Sequence, residues 1–373
     1  MSESSQEQVI ALVNSLFRVL EFNKGLYSLE FKIGDSEFKE TFEELARKLE
    51  SMNYICKMEL LEGDRYIVVQ KFPERKTRKW LSSSWIPRIL FVVVIGFVMI
   101  DGYYRTIGTN SIVEIGEPLE MAGVYTLSLL GILGVHELGH IVAAKIHKLK
   151  TSWPYFIPGI PIFGIPTFGA FIQSRGLTIN REILFDVAIA GPIAGLVIAI
   201  LVAMYGAYSA PVLETQLADQ MFEEGRLSEF AFGEPLFLKW SIEVFGNDTA
   251  NKEIILTPVL WAAWIGFFIT FLNLMPAWQL DGGHLIRTVL GARMHKVTTY
   301  TSFIILALIG FEFAALIFYF WSRGQFSAQP LDDLSPLSKK RKVLYLGVIG
   351  LAILCMPFPE NICMPFMRSL CIF

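Results

Sequence analysis

"LLGILGVHELGHIVAAKIHK", residues 129–148, is among the most apolar stretches of a 373-residue chain, yet His136, Glu137 and His140 stand in its middle. On insertion scales a charged side chain at the centre of a bilayer costs roughly 2.5–3.5 kcal/mol. The rest of the chain must therefore compensate three polar groups inside a segment that otherwise has the length and composition of a membrane helix.

The composition agrees with a membrane setting. Hydrophobic residues make up 53% of the chain, aromatic residues 13% and charged residues 18%, a balance too apolar for a soluble protein of this length. The formal net charge of -3 offers nucleic acid no basic face, and no Lys/Arg run is interleaved with stacking aromatics, so nucleic acid is excluded as a partner and the lipid bilayer is expected as one. Cys56, Cys355, Cys363 and Cys371 lack CxxC spacing and predict neither a disulfide framework nor a thiolate metal site. Glu3 and Glu7 stand where a signal peptide would be basic, so membrane entry is expected further along.

Residues 1–80 read as a small soluble α+β domain, with an amphipathic helix at 6–20, a strand at 26–33, a helix at 39–52 and strands at 55–61 and 65–72. A transmembrane domain then occupies 81–373. Its first candidate span, "WIPRILFVVVIGFVMIDGYY" at 85–104, follows the basic residues Lys71, Arg75, Lys76, Arg78 and Lys79. Further apolar segments lie near 121–146, 183–208, 254–277, 297–321 and 343–358. Each is close to the roughly 20 residues a helix needs to cross the hydrocarbon, so a polytopic α-helical protein with about six transmembrane helices is expected. Residues 153–175 are apolar but contain four prolines and three glycines, which excludes a straight helix and predicts a re-entrant hairpin beside the polar residues. Its "TFGAFIQ" half is expected either to pair with an extended substrate or to pack over the helices.

Lys and Arg fall in alternate loops. Residues 71–88 carry six against one Glu, 105–120 one against three Glu, 145–182 five against one Glu, and 208–253 three against nine acids. The positive-inside rule then puts the N-terminal domain in the cytoplasm of a multi-pass protein of the cell membrane. The run "SKKRK" at 338–342 conflicts with six simple crossings. Either the rule fails there, or the segment 297–321 does not simply traverse.

On a helix, His136 and His140 are four residues apart and share one face, where both rings reach a single metal ion. Glu137 lies beside them, and HExxH is the zinc-protease pattern whose Glu acts as general base. A satisfied core histidine is the ordinary alternative, but this run is apolar on both sides and Lys145 is roughly 13 Å away along the helix. Ligation to a cation makes the three groups tolerable where water cannot reach. A hydrolytic zinc takes three protein ligands, and Asp281 in "FLNLMPAWQLDGGHLIR" is the best candidate for the third. Pro276 breaks the preceding helix there, and Gly282 and Gly283 permit a tight turn. An Asp-Gly loop at a membrane surface is the competing reading of Asp281.

"HELGH" on one span with "NLMPAWQLDGG" on a later one resembles the site-2 protease family, the intramembrane zinc metalloproteases. "FGAFIQSR" and "LFDVAIAGPIAG" between them resemble its archaeal and plant chloroplast-like branch, and the resemblance covers about residues 120–290. It implies Zn2+ held by His136, His140 and Asp281, with Glu137 as the catalytic glutamate and Asn273 positioning substrate or stabilising the oxyanion. It also implies hydrolysis of peptide bonds within or near transmembrane segments of membrane-protein substrates.

A polytopic metal transporter or metal-dependent membrane scaffold would use the same ligands, and a zinc protease acting on lipidated or soluble ends is a third reading. A transporter needs ligands along a path, whereas this chain concentrates them and adds Glu137, best suited to proton transfer. Ala190, Gly191, Ala194 and Gly195 predict a small-residue face packed against the HELGH helix. Glu312 in the fifth apolar segment is an intramembrane acid without a motif. His147, His284 and His295 read as interfacial.

Overall fold

The computed structural model describes residues 3–72, 85–160, 165–171, 178–229, 232–246, 252–323, 329–358 and 370–371. The chain opens with α1 (Glu3–Leu16), β1 (Val19–Lys24), β2 (Ser28–Ile33), α2 (Lys39–Ser51), β3 (Tyr54–Leu61) and β4 (Asp64–Lys71). The strands form one antiparallel sheet in the order β1-β2-β4-β3. Alternate residues of β2, Leu29, Phe31 and Ile33, are buried with Val9 and Val13 of α1 and Phe42, Leu45 and Leu49 of α2. The sequence reading runs the first helix to residue 20 and misses β1. That strand lies at the sheet edge and is exposed along almost all of its length, so it carries no two-residue apolar period to detect.

Among the described residues, three helices are long and apolar enough to cross a membrane: α3 (Trp85–Asn110), α4 (Pro118–Ile146) and α5 (Arg181–Ser209). Between α4 and α5, β5 (Tyr155–Ile160) and β6 (Ile165–Phe171) form an antiparallel hairpin. Beyond α5, the paired strands Val212–Glu214 and Lys252–Ile254 bracket α6 (Thr215–Glu223) and α7 (Leu236–Phe245). The apolar helix α8 (Pro258–Leu274), α9 (Asp281–Leu308), α10 (Glu312–Ser322) and α11 (Lys339–Cys355) complete the bundle. Tyr125, Leu129 and Ile132 of α4, Ala199, Ala203 and Ala207 of α5, and Phe267 and Phe271 of α8 form its core. One buried acid, Asp101 of α3, is neutralised within it. Asp101 accepts hydrogen bonds from Arg105 Nε at 2.9 Å and Tyr125 OH at 2.6 Å, and the Arg105 guanidinium lies 4.4 Å over the Trp261 ring.

The segment at 297–321 is not one helix. It stops at Leu308, turns through Gly310 with φ +95°, and restarts at Glu312, which is exposed in the first turn of α10. Ring contacts of Tyr300 with Tyr319 and Phe303 with Phe318 show α10 folding back antiparallel on α9. The chain then returns to the face it left: Asp333 pairs with Arg287 of α9, at 2.5 and 3.1 Å, and with Arg181 of α5, at 2.9 Å. Arg341 binds Asp186 through two 2.7 Å bonds. The basic run at 338–342 thus shares the face where α4 ends and α5 begins. At the far end of α11, Pro357–Phe358 pairs with Glu234–Pro235 of the acidic loop on the opposite face.

The N-terminal sheet docks on the same basic face. Lys39 pairs with Glu182 at 2.8 Å, Asn180 donates to Glu43 at 3.2 Å, and Arg47 donates to the His147 carbonyl at 3.1 Å. The Met58 amide on β3 donates to Leu331 O, and the Leu331 amide donates to Thr178 O, both at 2.9 Å. Ile179, Ile183 and Leu331 join the hydrophobic core of the sheet. In that core Cys56 is 1% exposed, and burial pushes its thiol up to about 12. Because the thiolate is the reactive form, Cys56 is expected to resist maleimide at pH 8 in the native protein and to react on denaturation. Peptide mass spectrometry reads the difference, and rapid native labelling would contradict the packing.

Candidate metal centre

Helix α4 begins on a defined cap: the Glu117 carboxylate accepts from the amides of Leu119 and Glu120, and Pro118 occupies the first turn. Its regular winding brings His136 and His140 to one face, and His136 and Glu137 are buried, at 4% and 6% exposure. Helix α5 crosses that face at very short range. A Cβ on Gly195 would stand 2.9 Å from His136 Cβ, one on Gly139 would stand 2.5 Å from Ala190 O, and one on Gly191 would overlap the His140 ring. The small-residue face at 190–195 therefore packs against HELGH, as expected.

Pro192, inside α5, has no amide hydrogen to give and so interrupts the helix's hydrogen-bond ladder at this turn. One turn earlier the Val187 carbonyl accepts a hydrogen bond from His140 Nδ1 at 2.8 Å. Only a protonated Nδ1 can make that bond, which leaves the Nε2 lone pair of His140 for another partner.

Asp281 comes from the other side. Helix α8 ends at Leu274, Pro276 follows, and Asp281 opens α9. Asp281 Oδ2 lies 3.4 Å from His136 Nε2 and 3.3 Å from His140 Nε2, and the two nitrogens are 3.2 Å apart. Tetrahedral zinc with arms of about 2.0–2.1 Å sets its donors about 3.3 Å apart. Two imidazoles and a carboxylate at these separations are a donor set that fits a zinc ion, and the trio is the one group suited to a metal among the described residues. Asn273 on α8 reaches the same spot, with Nδ2 3.3 Å from His136 Nε2. His136, His140, Asp281 and Asn273 thus converge, with Glu137 buried beside them.

Two local expectations change. Gly282 and Gly283 do not make the turn; they are helical, and a Cβ on either would strike backbone carbonyls between Leu274 and Trp278. The residue with left-handed backbone is Trp278, at φ +46°. His295 is not interfacial: it is 2% exposed, and its Nε2 lies 2.8 Å from the Trp278 carbonyl. His147 does lie at the helix end, 3.1 Å from Asp186. The Val187 carbonyl escaped the sequence reading because a backbone atom has no residue type to signal it; the AGPIAG run was the available hint.

Residues 124–317, more than half of the chain, match the model of peptidase family M50. The chain belongs to peptidase family M50. It is 29% identical over 242 residues to the probable zinc metalloprotease EGY2, chloroplastic, of Arabidopsis thaliana, covering 61% of this chain and 40% of that one. It is 30% identical over 259 residues to the EGY2 protein of Oryza sativa subsp. indica, covering 64% and 43%. With the probable zinc metalloprotease EGY1 of Arabidopsis thaliana it shares 29% over 182 residues, covering 48% and 32%. The matches thus span about two fifths or less of these relatives' lengths. No solved structure matches it. Because the relatives are named as chloroplastic, the expectation of the cell membrane reduces to that of a membrane protein.

In this M50 chain Gly191→Ala forces a methyl into the His140 ring. Overpacking of this kind costs about 1–3 kcal/mol, so metal affinity should fall about tenfold, read by metal analysis of the purified protein. Undiminished metal in the variant would contradict the close approach of α5.

Proposed function

We propose that this chain is an intramembrane zinc metalloprotease that hydrolyses peptide bonds within or near transmembrane segments of membrane proteins. The observation that carries the reading is the triangle of His136 Nε2, His140 Nε2 and Asp281 Oδ2 beside Glu137 within an apolar helix. The names of the M50 relatives, zinc metalloproteases, support both the metal and the reaction. A transporter is disfavoured because the described residues hold one such cluster rather than a series of them.

His136, His140 and Asp281 would hold the zinc ion, which when bound would supply Lewis acidity toward water and a peptide carbonyl. The chain's own groups do the rest. Glu137 takes the proton of the attacking water and returns it to the departing amine. Val187 holds His140 in the tautomer that presents Nε2. Asn273, at the rim of the triangle, orients the substrate or donates to the carbonyl oxygen as it gains charge.

Substrate amides are hydrogen-bonded in a helix, so the segment to be cut must unwind locally. The β5–β6 hairpin, re-entrant in this reading, is suited to receive it, since among the described residues no strand other than β5 pairs with β6. The basic face carrying the N-terminal domain, residues 1–80, is the cytoplasmic side in this scheme. Helices α3, α4, α5, α8 and α11 cross the membrane, while α9 and α10 return to one side.

Glu137→Gln is expected to keep about one zinc per chain and to lower cleavage of a membrane-embedded reporter at least about 100-fold; retained cleavage would end the mechanism. Proline at Phe168 or Ala170 is expected to slow cleavage without loss of zinc, as is proline at Ile172, which lies outside the described residues. Unchanged cleavage in all three would remove strand pairing and leave the zinc chemistry standing.

A further inference from the structure

We infer that Thr299 and His295, on the second half of α9, are positioning residues that hold the loop before Asp281 in the conformation that delivers its carboxylate to His136 and His140. The inference rests on the zinc site proposed above. Residues 275–280 carry the chain from α8 to α9, and their path determines where Asp281 enters. Within them Trp278 has φ +46°, a left-handed conformation that a bulky residue keeps only where its surroundings over-determine it.

One turn of α9 provides those surroundings. The Trp278 amide donates to Thr299 Oγ1 at 2.9 Å, and the Trp278 carbonyl accepts from His295 Nε2 at 2.8 Å. The Thr299 hydroxyl hydrogen is committed to the His295 carbonyl at 2.7 Å, so its oxygen is left as an acceptor for Trp278. The two residues are four apart and share a helix face; at 1% and 2% exposure, neither leaves room for water to take over its bond.

This reach depends on the bend in α9. In a straight helix residues 281 and 295 would stand about 21 Å apart, too far for 295 to touch a loop residue just before 281. Gly291, at φ +85° and ψ -177°, breaks the axis in a region open to glycine alone and brings the 295–299 turn back over the loop. There the Leu280 amide closes on Ala277 O at 3.1 Å, and Asp281 follows directly. With Trp278 in any ordinary right-handed or extended conformation, the chain would leave this turn in another direction and carry the carboxylate away from the histidines.

Zinc affinity of the full-length protein in detergent, measured by competition with a chelating dye, tests the clamp. Thr299→Val is isosteric and deletes only the hydroxyl, so a role in packing alone would leave affinity unchanged. A clamp predicts a loss of about 10-fold or more, retention in Thr299→Ser, and a comparable loss in His295→Leu. Adding Trp278→Gly to Thr299→Val should restore binding, because glycine enters the left-handed region without steric cost. Wild-type affinity in Thr299→Val, or a loss that Trp278→Gly does not restore, overturns the clamp. Asp281→Ala separates the two readings: if that variant binds zinc as the wild type does, the metal site itself is wrong, whereas loss there with normal binding in Thr299→Val removes the clamp alone.

Discussion

The hydrogen bond from His140 Nδ1 to the Val187 carbonyl ties the histidine helix α4 to α5, and it forms because Gly139, Gly191 and Gly195 remove the side chains that would hold the helices apart. Without that approach the His140 ring would have a choice of tautomers and its Nε2 no fixed direction. With it, the separations to His136 and Asp281 follow from ordinary helix geometry on one side and from a short loop on the other. The centre is therefore a product of backbone proximity as much as of its donors.

Charged groups in the apolar body and on its basic face recur with the same solution. Asp101 is matched by Arg105 and Tyr125, Arg287 by Asp333, and Asp186 and Glu182 by Arg341 and Lys39. A buried charge left alone is costly, but a pair with its hydrogen bonds made is tolerable. These pairs also fasten elements far apart in sequence, so the face carrying the N-terminal sheet is held by ion pairs at its rim and by Ile179, Ile183 and Leu331 at its centre.

Much of this was legible in the residues. HELGH and the LDGG segment stood out because donor type and spacing are properties of the sequence, and the fold does bring His136, His140 and Asp281 together; the small residues at 190–195 announced close packing. The basic run at 338–342 conflicted with six simple crossings, and the segment before it is indeed broken: the chain turns at Gly310 between α9 and α10. Less legible were features that depend on backbone direction. β1 lacks an apolar rhythm because it borders solvent, the bend at Gly291 looks like one glycine in a helical pattern, and a left-handed tryptophan has no sequence signature. His295 looked interfacial from its place between apolar segments, whereas that bend turns it inward onto Trp278.

The N-terminal sheet has a dependence that its sequence order hides. Ile179, Ile183 and Leu331 of its core come from segments much later in the chain, and the Met58 amide at the β3 edge bonds to Leu331. The edge of β3 and part of the sheet's core are therefore covered only where the 178–183 and 331 segments lie against it. Burial of the sheet thus depends on the helical bundle, so a lesion that displaces the start of α5 or the segment around Leu331 would also uncover the sheet's core.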